Sequence, residues 1–300
     1  MNYRILGLIL IILLPSLSNA QSSRWKRYRY EVFYGFGAAN FLGDLGGKDQ
    51  IGTPYFADLE MSMTRPAAQI GMRYKFTPLL AGSMAITAGM VAGDDNTTRE
   101  EFREPRQLHF RSPIVEVSTR FEFMFLKERA GHRYNLRGVK GIKKLELYPY
   151  GFFGVGGFWF NPKAQAPNGK WIALQPLGTE GQTLIPTRTP YKRFQVSIPA
   201  GIGFKYAIDR RWLIGIEYGI RKTFTDYIDD VSTTYVDNNL LLVTEGTNAA
   251  YFADPSGGWL GSSPGMQRGD PTDDDSYMFI TLTLNYKLRT TRGNLPKFKG

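Results

Sequence analysis

Residues 194–221 read FQVSIPAGIGFKYAIDRRWLIGIEYGIR. In both halves every second residue is apolar, from Phe194 to Tyr206 and again from Trp212 to Ile220. A period of two is typical of a β-strand with two unlike faces, and the polar break at residues 209–211 makes the pair an antiparallel hairpin. A wide apolar face opposite small and charged residues predicts a transmembrane β-barrel wall, with lipid outside and a polar lumen inside. A half-buried hairpin of a soluble protein is the alternative.

The N-terminus indicates an exported chain. An apolar run over residues 5–14 ends at Pro15 and is followed by small residues up to Ala20. This pattern predicts a secretory signal peptide over residues 1–20, because the run is too short to span a bilayer as a helix. The chain has no Cys, so neither disulfides nor thiolate metal sites are expected. An outer-membrane barrel fits these features, and a secreted β-sandwich is the competing interpretation.

Eight segments carry strand alternation. The predicted strands cover residues 30–41, 68–76, 83–91, 115–125, 145–160, 194–206, 212–221 and 277–288. The facing of the third strand stays open because its pattern is weak, and that of the fifth because aromatic and glycine residues occupy both faces. The predicted fold is all-β: an eight-stranded antiparallel transmembrane β-barrel over residues 21–288, followed by a basic periplasmic tail over residues 289–300.

The connections between these strands differ in length. With the N-terminus in the periplasm, the periplasmic turns are residues 77–81, 126–144 and 207–211, and the outer loops are residues 42–67, 93–113, 161–192 and 222–276. Two turns are short and all the loops are long, which is typical of bacterial outer-membrane barrels. Residues 171–182 mix apolar residues with turn formers, so this part of the third loop is predicted to fold against its neighbours as a cap.

The predicted lumen face carries charges of both signs. An eight-stranded barrel is just wide enough to hold its own side chains, and buried charges must be paired. The pattern therefore favours a plugged lumen over an ion-selective pore. The predicted inward charges are Arg73, Lys75, Glu116, Arg120, Glu122, Glu217, Arg221 and Lys287.

No catalytic, cofactor or metal site is predicted. His109 falls near the outer rim and His132 in a periplasmic turn, too far apart for a catalytic dyad or a shared zinc ion. Acidic residues also occur in the last outer loop, at Asp226, Asp229, Asp230 and residues 273–275. Neither acidic run has EF-hand spacing, so solvated loop faces are predicted, with a calcium site as the alternative.

One periplasmic turn is predicted to bind a partner. Residues 126–144 exceed what a hairpin needs and contain a single acid, Glu128. Such a segment is steered toward an acidic surface. With a formal net charge of +10, an exported chain is expected to meet anionic lipid or an acidic protein and no nucleic acid, while a solvated basic loop beside lipid is the alternative. The predicted partner-binding residues are Lys127, Arg129, Arg133, Arg137, Lys140, Lys143 and Lys144.

Three stretches resemble a Bacteroidetes outer-membrane family related to PorG, a component of the type IX secretion system. They are YGFGAANFLGDLGG at residues 34–47, PLGTEGQ at residues 176–182 and TFTDYIDDVS at residues 223–232, of which the last is the most specific. The terminal strand and PKF at residues 296–298 extend the resemblance. It implies a small outer-membrane barrel that associates with periplasmic secretion-ring proteins and is required for the export of cargo proteins.

The leading functional prediction is a non-enzymatic barrel in the cell outer membrane that anchors or docks a periplasmic protein-secretion assembly. Its expected partners are outer-membrane lipid and, from the resemblance, the secretion-ring proteins. A free-standing small barrel whose outer loops bind a ligand or protect the membrane is the alternative. A membrane-embedded hydrolase acting on lipid is disfavoured, because the two histidines are predicted to lie apart.

Overall fold

The computed structural model describes residues 23–45, 61–97, 103–128, 147–291 and 295–297. The predicted signal peptide therefore lies outside the described residues. The long strands of the described chain are β1 (Tyr30–Leu42), β2 (Arg65–Lys75), β3 (Leu80–Asp94), β4 (His109–Met124), β5 (Leu147–Phe160), β8 (Phe194–Ala207), β9 (Trp212–Thr223) and β10 (Ser276–Thr290). The shorter elements are strands β6 (Lys163–Gln165), β7 (Trp171–Ala173) and β11 (Pro296–Lys297) and helices α1 (Asn238–Thr244) and α2 (Thr247–Ala253).

The eight long strands close into a barrel. Each pairs antiparallel with the next along the chain, from β1 through β5 and from β8 through β10, and β5 pairs with β8. Closure comes from β1 and β10, where Phe36 lies opposite Leu282. The predicted eight-stranded antiparallel barrel is thus confirmed. The short strand β11 pairs back onto the end of β10, with Arg289 opposite Lys297.

Side chains alternate between the outside of the barrel and its lumen as the sequence pattern predicts. Ile198 and Ile216 point outward and are 44% and 41% exposed, whereas Glu217 is 3% exposed in the lumen. The structure also determines which faces of the third and fifth predicted strands point outward. In β3, Met84 and Ile86 face outward, opposite in direction to Ser83 and Thr87.

The facing of β5 follows from glycines on the adjacent strand. Tyr150 and Phe152 point into the lumen, while Phe153 and Val155 are exposed on the outside. The Tyr150 ring lies against Gly203 of β8, where a Cβ atom would fall 2.4 Å from the ring. Only a residue without a side chain leaves room for this ring, so a glycine of β8 accommodates the inward direction of Tyr150.

An apolar exterior around a closed strand ladder is the architecture of a membrane-spanning barrel. Closure pairs the backbone groups of every wall strand, which is required inside a lipid bilayer. The outward faces of all eight strands carry large exposed apolar side chains, among them Phe36, Phe121, Phe153 and Leu282. Neither α1 nor α2 is long and apolar enough to cross a membrane.

The two ends of the barrel differ. We call the end that carries the connections at residues 76–79, 125–146 and 208–211 the turn end, and the opposite one the loop end. At the loop end an apolar core runs from the lumen into the loops, from Phe41 and Phe158 to Leu174 and Phe252. The segment predicted to act as a cap takes part in this core through Leu174.

Candidate partner-binding site

The predicted partner-binding segment begins at the turn end. Lys127 is exposed, three residues after β4 ends at Met124. The other predicted partner-binding residues lie outside the described residues: Arg129, Arg133, Arg137, Lys140, Lys143 and Lys144. The structure therefore places the start of the segment at the rim of the barrel and leaves its binding role a prediction.

Glu128, the only acid of this segment, turns back into the barrel. Its carboxylate pairs with Lys75 of β2, lies 3.1 Å from the ammonium group of Lys205 on β8 and lies 2.8 Å from that of Lys287 on β10. The side chains of Glu128 and of all three lysines are at most 7% exposed. We call Lys75, Lys205 and Lys287 the lysine pocket. Its occupant is supplied by the connecting segment and not by a wall strand.

Deeper in the lumen, arginines and glutamates join wall strands, including strands that are not neighbours in the wall. Arg73 of β2 pairs with Glu31 and Glu122, and Arg120 of β4 lies 2.5 Å from Glu217 of β9. The hydroxyl of Tyr150 donates a second hydrogen bond to Glu217 at 2.8 Å. Fully buried ions need this many partners, because an unpaired charge in a low-dielectric interior is costly.

A second ion pair lies nearer the loop end. Arg221 lies 3.3 Å from Glu116, which also accepts a hydrogen bond at 2.8 Å from the hydroxyl of Tyr277. Phe279 covers the guanidinium group of Arg221 at 4.5 Å from its ring centre. All eight predicted inward charges are buried, so that prediction is confirmed. The described wall thus encloses ion pairs and aromatic rings, as expected for a plugged lumen.

At the loop end, two buried arginines tie the four loops together. Arg268 of the fourth loop lies 2.9 Å from Glu180 of the third, and it donates to the carbonyl of Asp230. Arg106 of the second loop pairs with Asp95 at 2.8 Å and donates to the carbonyl of Asp44 in the first loop. These contacts form a folded cap over the barrel, which confirms the predicted packing of residues 171–182 against neighbouring loops.

The prediction of solvated acidic faces is wrong for four of the six residues in the two acidic runs of the fourth loop, Asp226, Asp229, Asp230 and Asp275. Asp229 is buried and accepts hydrogen bonds from the backbone N–H groups of Leu45 and Val231. Asp230 is also buried and accepts from Thr179 and Tyr191. Long loops that pack on one another create an interior of their own, and these carboxylates satisfy backbone and hydroxyl donors there.

The same correction applies near the end of that loop. Asp275 is fully buried and accepts from the N–H of Ile228, whereas the side chain of Asp273 is 89% exposed as predicted. Asp226 is also buried, and its burial together with the nearby charges of Asp229 and Asp44 raises its pKa to about 9. Burial raises the pKa of Asp229 and Asp275 well above the usual range, so this carboxylate cluster favours the protonated form.

Neither histidine chemistry nor a metal centre emerges from the described part of the chain. His109 lies at the loop end, where its Nε2 accepts a hydrogen bond from the N–H of Gln165 at 3.0 Å. His132 is outside the described residues. Among those that are described, no group of three or more histidine or carboxylate side chains is arranged to hold a metal ion.

Three residues of the turn-end site escaped the sequence prediction. Glu31 and Lys205 are fully buried charges on lumen faces, where strict alternation places both, so the signal for them was present. Glu128 follows the last residue of β4 in irregular backbone, where alternation no longer applies. The only signal in the sequence was that Glu128 is the single acid among seven cations, which favours its pairing with lysines of the barrel.

Comparison with known proteins bears on architecture alone. No family model matches the chain, and no curated protein matches it. Ail, the attachment invasion locus protein of Yersinia pestis, in complex with the heparin analogue sucrose octasulfate, is 11% identical over 87% of this chain and 98% of its own, with a TM-score of 0.38. Neisserial surface protein A is 8% identical over 86% and 96%, with a TM-score of 0.39. The outer membrane protein OprG from Pseudomonas aeruginosa is 8% identical over 88% and 98%, with a TM-score of 0.34.

Proposed function

We propose that this chain is a non-enzymatic outer-membrane barrel that anchors or docks a periplasmic protein-secretion assembly of the type IX kind. The observation that carries the proposal is the position of Glu128. The one carboxylate of residues 126–144 is held by the lysine pocket, so its charge is balanced by lysines of the wall. The other charged residues of that segment are all cations, which suits the segment to an acidic protein surface.

The filled lumen supports an anchoring role over a transport role. The pair of Arg120 with Glu217 connects strands β4 and β9 across the barrel, and Arg73 with Glu31 and Glu122 fills the level nearer the turn end. A solute would have to separate these buried ion pairs, and removing one partner of such a pair costs about 3–5 kcal/mol. The barrel is better suited to hold a fixed surface at the membrane than to conduct.

Two features taken together support a location in the outer membrane. The sequence predicts a signal peptide over residues 1–20, and the barrel carries an apolar exterior of the kind that faces lipid. With the N-terminus in the periplasm, the turn end faces the periplasm. Residues 126–144 then connect two strands on the same side of the membrane as a periplasmic secretion ring. The resemblance at residues 34–47, 176–182 and 223–232 supplies the class of partner.

Charge reversal at the basic segment tests the proposal. Arg133, Arg137, Lys140 and Lys143 are changed together to Glu, and the detergent-solubilised barrel is used to capture secretion-ring proteins from periplasmic extract. The proposal expects folding to persist and capture and cargo export to be lost. A matched control reverses four charges at the loop end, Lys163, Lys170, Lys192 and Lys222, and keeps capture. Normal capture and export by the first variant would overturn the docking role.

The cap at the loop end favours one other function. Loops joined by Arg106 and Arg268 form a built surface, and that surface suits a free-standing barrel that binds a ligand or protects the membrane from outside. Intact cells distinguish the two functions. Deleting α1 and α2 from the cap should leave ring capture unchanged if the barrel docks at its turn end, and loss of a surface phenotype with normal export would favour the second function.

A further inference from the structure

The lysine pocket is part of the barrel wall, whereas its occupant is not. Lys75, Lys205 and Lys287 project from strands β2, β8 and β10, whose positions are fixed by ladder hydrogen bonds on both sides. The last ladder contact before Glu128 is the hydrogen bond from the N–H of Phe125 to the carbonyl of Pro149 at 3.1 Å. Glu128 then lies three residues further along, in irregular backbone. The pocket is therefore rigid, and the carboxylate that fills it sits on a connecting segment.

The pocket requires an anion. Apart from Glu128, the carboxylate nearest the lysines is that of Glu31, at 3.9 Å from Lys75 and 3.5 Å from Lys205, and Glu31 also pairs with Arg73. Without Glu128, the three buried ammonium groups would keep a single described carboxylate within ion-pair distance, that of Glu31. Because an uncompensated buried charge is strongly unfavourable, withdrawal of Glu128 favours the entry of another carboxylate.

One ammonium group of the pocket, that of Lys205, can donate further hydrogen bonds. Lys205 lies 3.1 Å from one oxygen of Glu128 and 3.5 Å from one of Glu31, yet its ammonium group makes no hydrogen bond within the described part of the chain. Its side chain is fully buried, and the Tyr150 ring lies 5.2 Å away. An ammonium group has three N–H donors, so a carboxylate with freer geometry than Glu128 can add hydrogen bonds there.

We propose that the lysine pocket is a binding site for an acidic segment of the periplasmic partner, and that Glu128 occupies it until the partner arrives. This inference rests on the proposed docking function and adds its chemistry. A carboxylate of the partner replaces that of Glu128, so the charge of the pocket stays balanced.

An acidic protein segment suits the pocket better than a lipid headgroup. The three lysines face the lumen, whereas lipid contacts the outer face of the wall, so a headgroup would have to carry its acyl chains around the rim. An extended chain with carboxylate side chains can approach the lumen along the barrel axis, without passing through lipid. Vesicles of anionic lipid distinguish the two ligands experimentally.

The test measures binding of fluorescent hexaglutamate to the full-length barrel in detergent. Glu128→Gln removes the tethered competitor and should tighten binding by about tenfold or more, because a group tethered beside its site competes at roughly millimolar effective concentration. Glu104→Gln makes the same change of charge at an exposed position at the loop end and should leave binding unchanged. Glu128→Gln combined with Lys205→Met should lose the gain. If Glu128→Gln does not fold, Glu128→Asp, which shortens the occupant but keeps its charge, should tighten binding by a smaller factor.

Three results with hexaglutamate would each overturn the inference. They are equal binding by wild type and the Glu128 variants, an equal gain in Glu104→Gln, and a gain that survives Lys205→Met. A gain for vesicles containing phosphatidylglycerol without one for hexaglutamate would also overturn it, in favour of lipid. If hexaglutamate binding fails while charge reversal in residues 133–143 still abolishes ring capture, only the pocket inference fails. If Glu128→Gln tightens hexaglutamate binding but charge reversal in residues 133–143 leaves ring capture unchanged, the docking function is overturned instead.

Discussion

Arg120 and Glu217 form an ion pair across the barrel lumen, with Nη1 and Oε1 2.5 Å apart, although their strands β4 and β9 are not neighbours in the wall. The pair is fully enclosed, and Tyr150 donates a further hydrogen bond to the same carboxylate. A contact of this kind ties opposite sides of the wall together. It makes the lumen a structural core.

Glu217→Ala should strongly destabilise the barrel. The substitution leaves Arg120 and the Tyr150 hydroxyl without their buried acceptor, and breaking a buried pair on one side costs about 3–5 kcal/mol. The midpoint of heat-induced unfolding, followed by gel mobility, should fall clearly. Asp273→Ala removes an exposed acid that is 89% accessible and should leave the midpoint unchanged. Equal midpoints for both variants would mean that the lumen network contributes little.

The outward face of the wall can be tested at Ile216. This residue lies opposite Phe204 and Leu282 at the middle of its strand, where an arginine facing lipid costs about 2–4 kcal/mol. Ile216→Arg should therefore reduce the yield of folded barrel in vesicles. Ile208→Arg, in the turn between β8 and β9, places the same charge at the rim and should fold normally. Equal yields would contradict the membrane placement of the wall.

The wall was largely predictable from the sequence, because alternation with a period of two reports directly on a sheet with unlike faces. The prediction was incomplete in β5, where glycine and aromatic residues occupy both faces and only the contact of Tyr150 with Gly203 selects one. It was wrong for Asp229 and Asp275, since loop burial depends on tertiary packing that no local pattern encodes. Glu128 was missed because its partners come from three distant strands.

The cap should weaken as the pH rises. The pKa of Asp226 is raised to about 9, because burial and the charges of Asp229 and Asp44 disfavour its ionised form. The folded cap therefore holds a proton that the unfolded chain has already released, and its stability falls between about pH 4 and pH 9. Proteolysis of the loops should accelerate across this range, and Asp226→Asn should flatten the dependence. A wild-type cap that resists proteolysis better at pH 9 than at pH 5 would contradict this assignment.

Orientation in the membrane can be measured with single cysteines, because the chain has none of its own. Leu260→Cys lies in the cap at a position that is 88% exposed, and an impermeant thiol reagent should label it on intact cells. Arg133→Cys in the basic segment should react only after the outer membrane is permeabilised. Labelling of position 133 and not of position 260 on intact cells would invert the assigned topology.

Site-specific crosslinking tests the docking claim most directly. A photoreactive amino acid at position 137, within the basic segment, should crosslink on illumination of living cells to a periplasmic secretion-ring protein. The same amino acid at position 170, exposed at the loop end, should not. The crosslink at position 137 should weaken when Lys205 is replaced by Met, because in the proposed docking the lysine pocket binds the same partner. Absence of any ring-protein crosslink at position 137, with efficient crosslinking of that protein at position 170, would contradict a docking surface at the turn end.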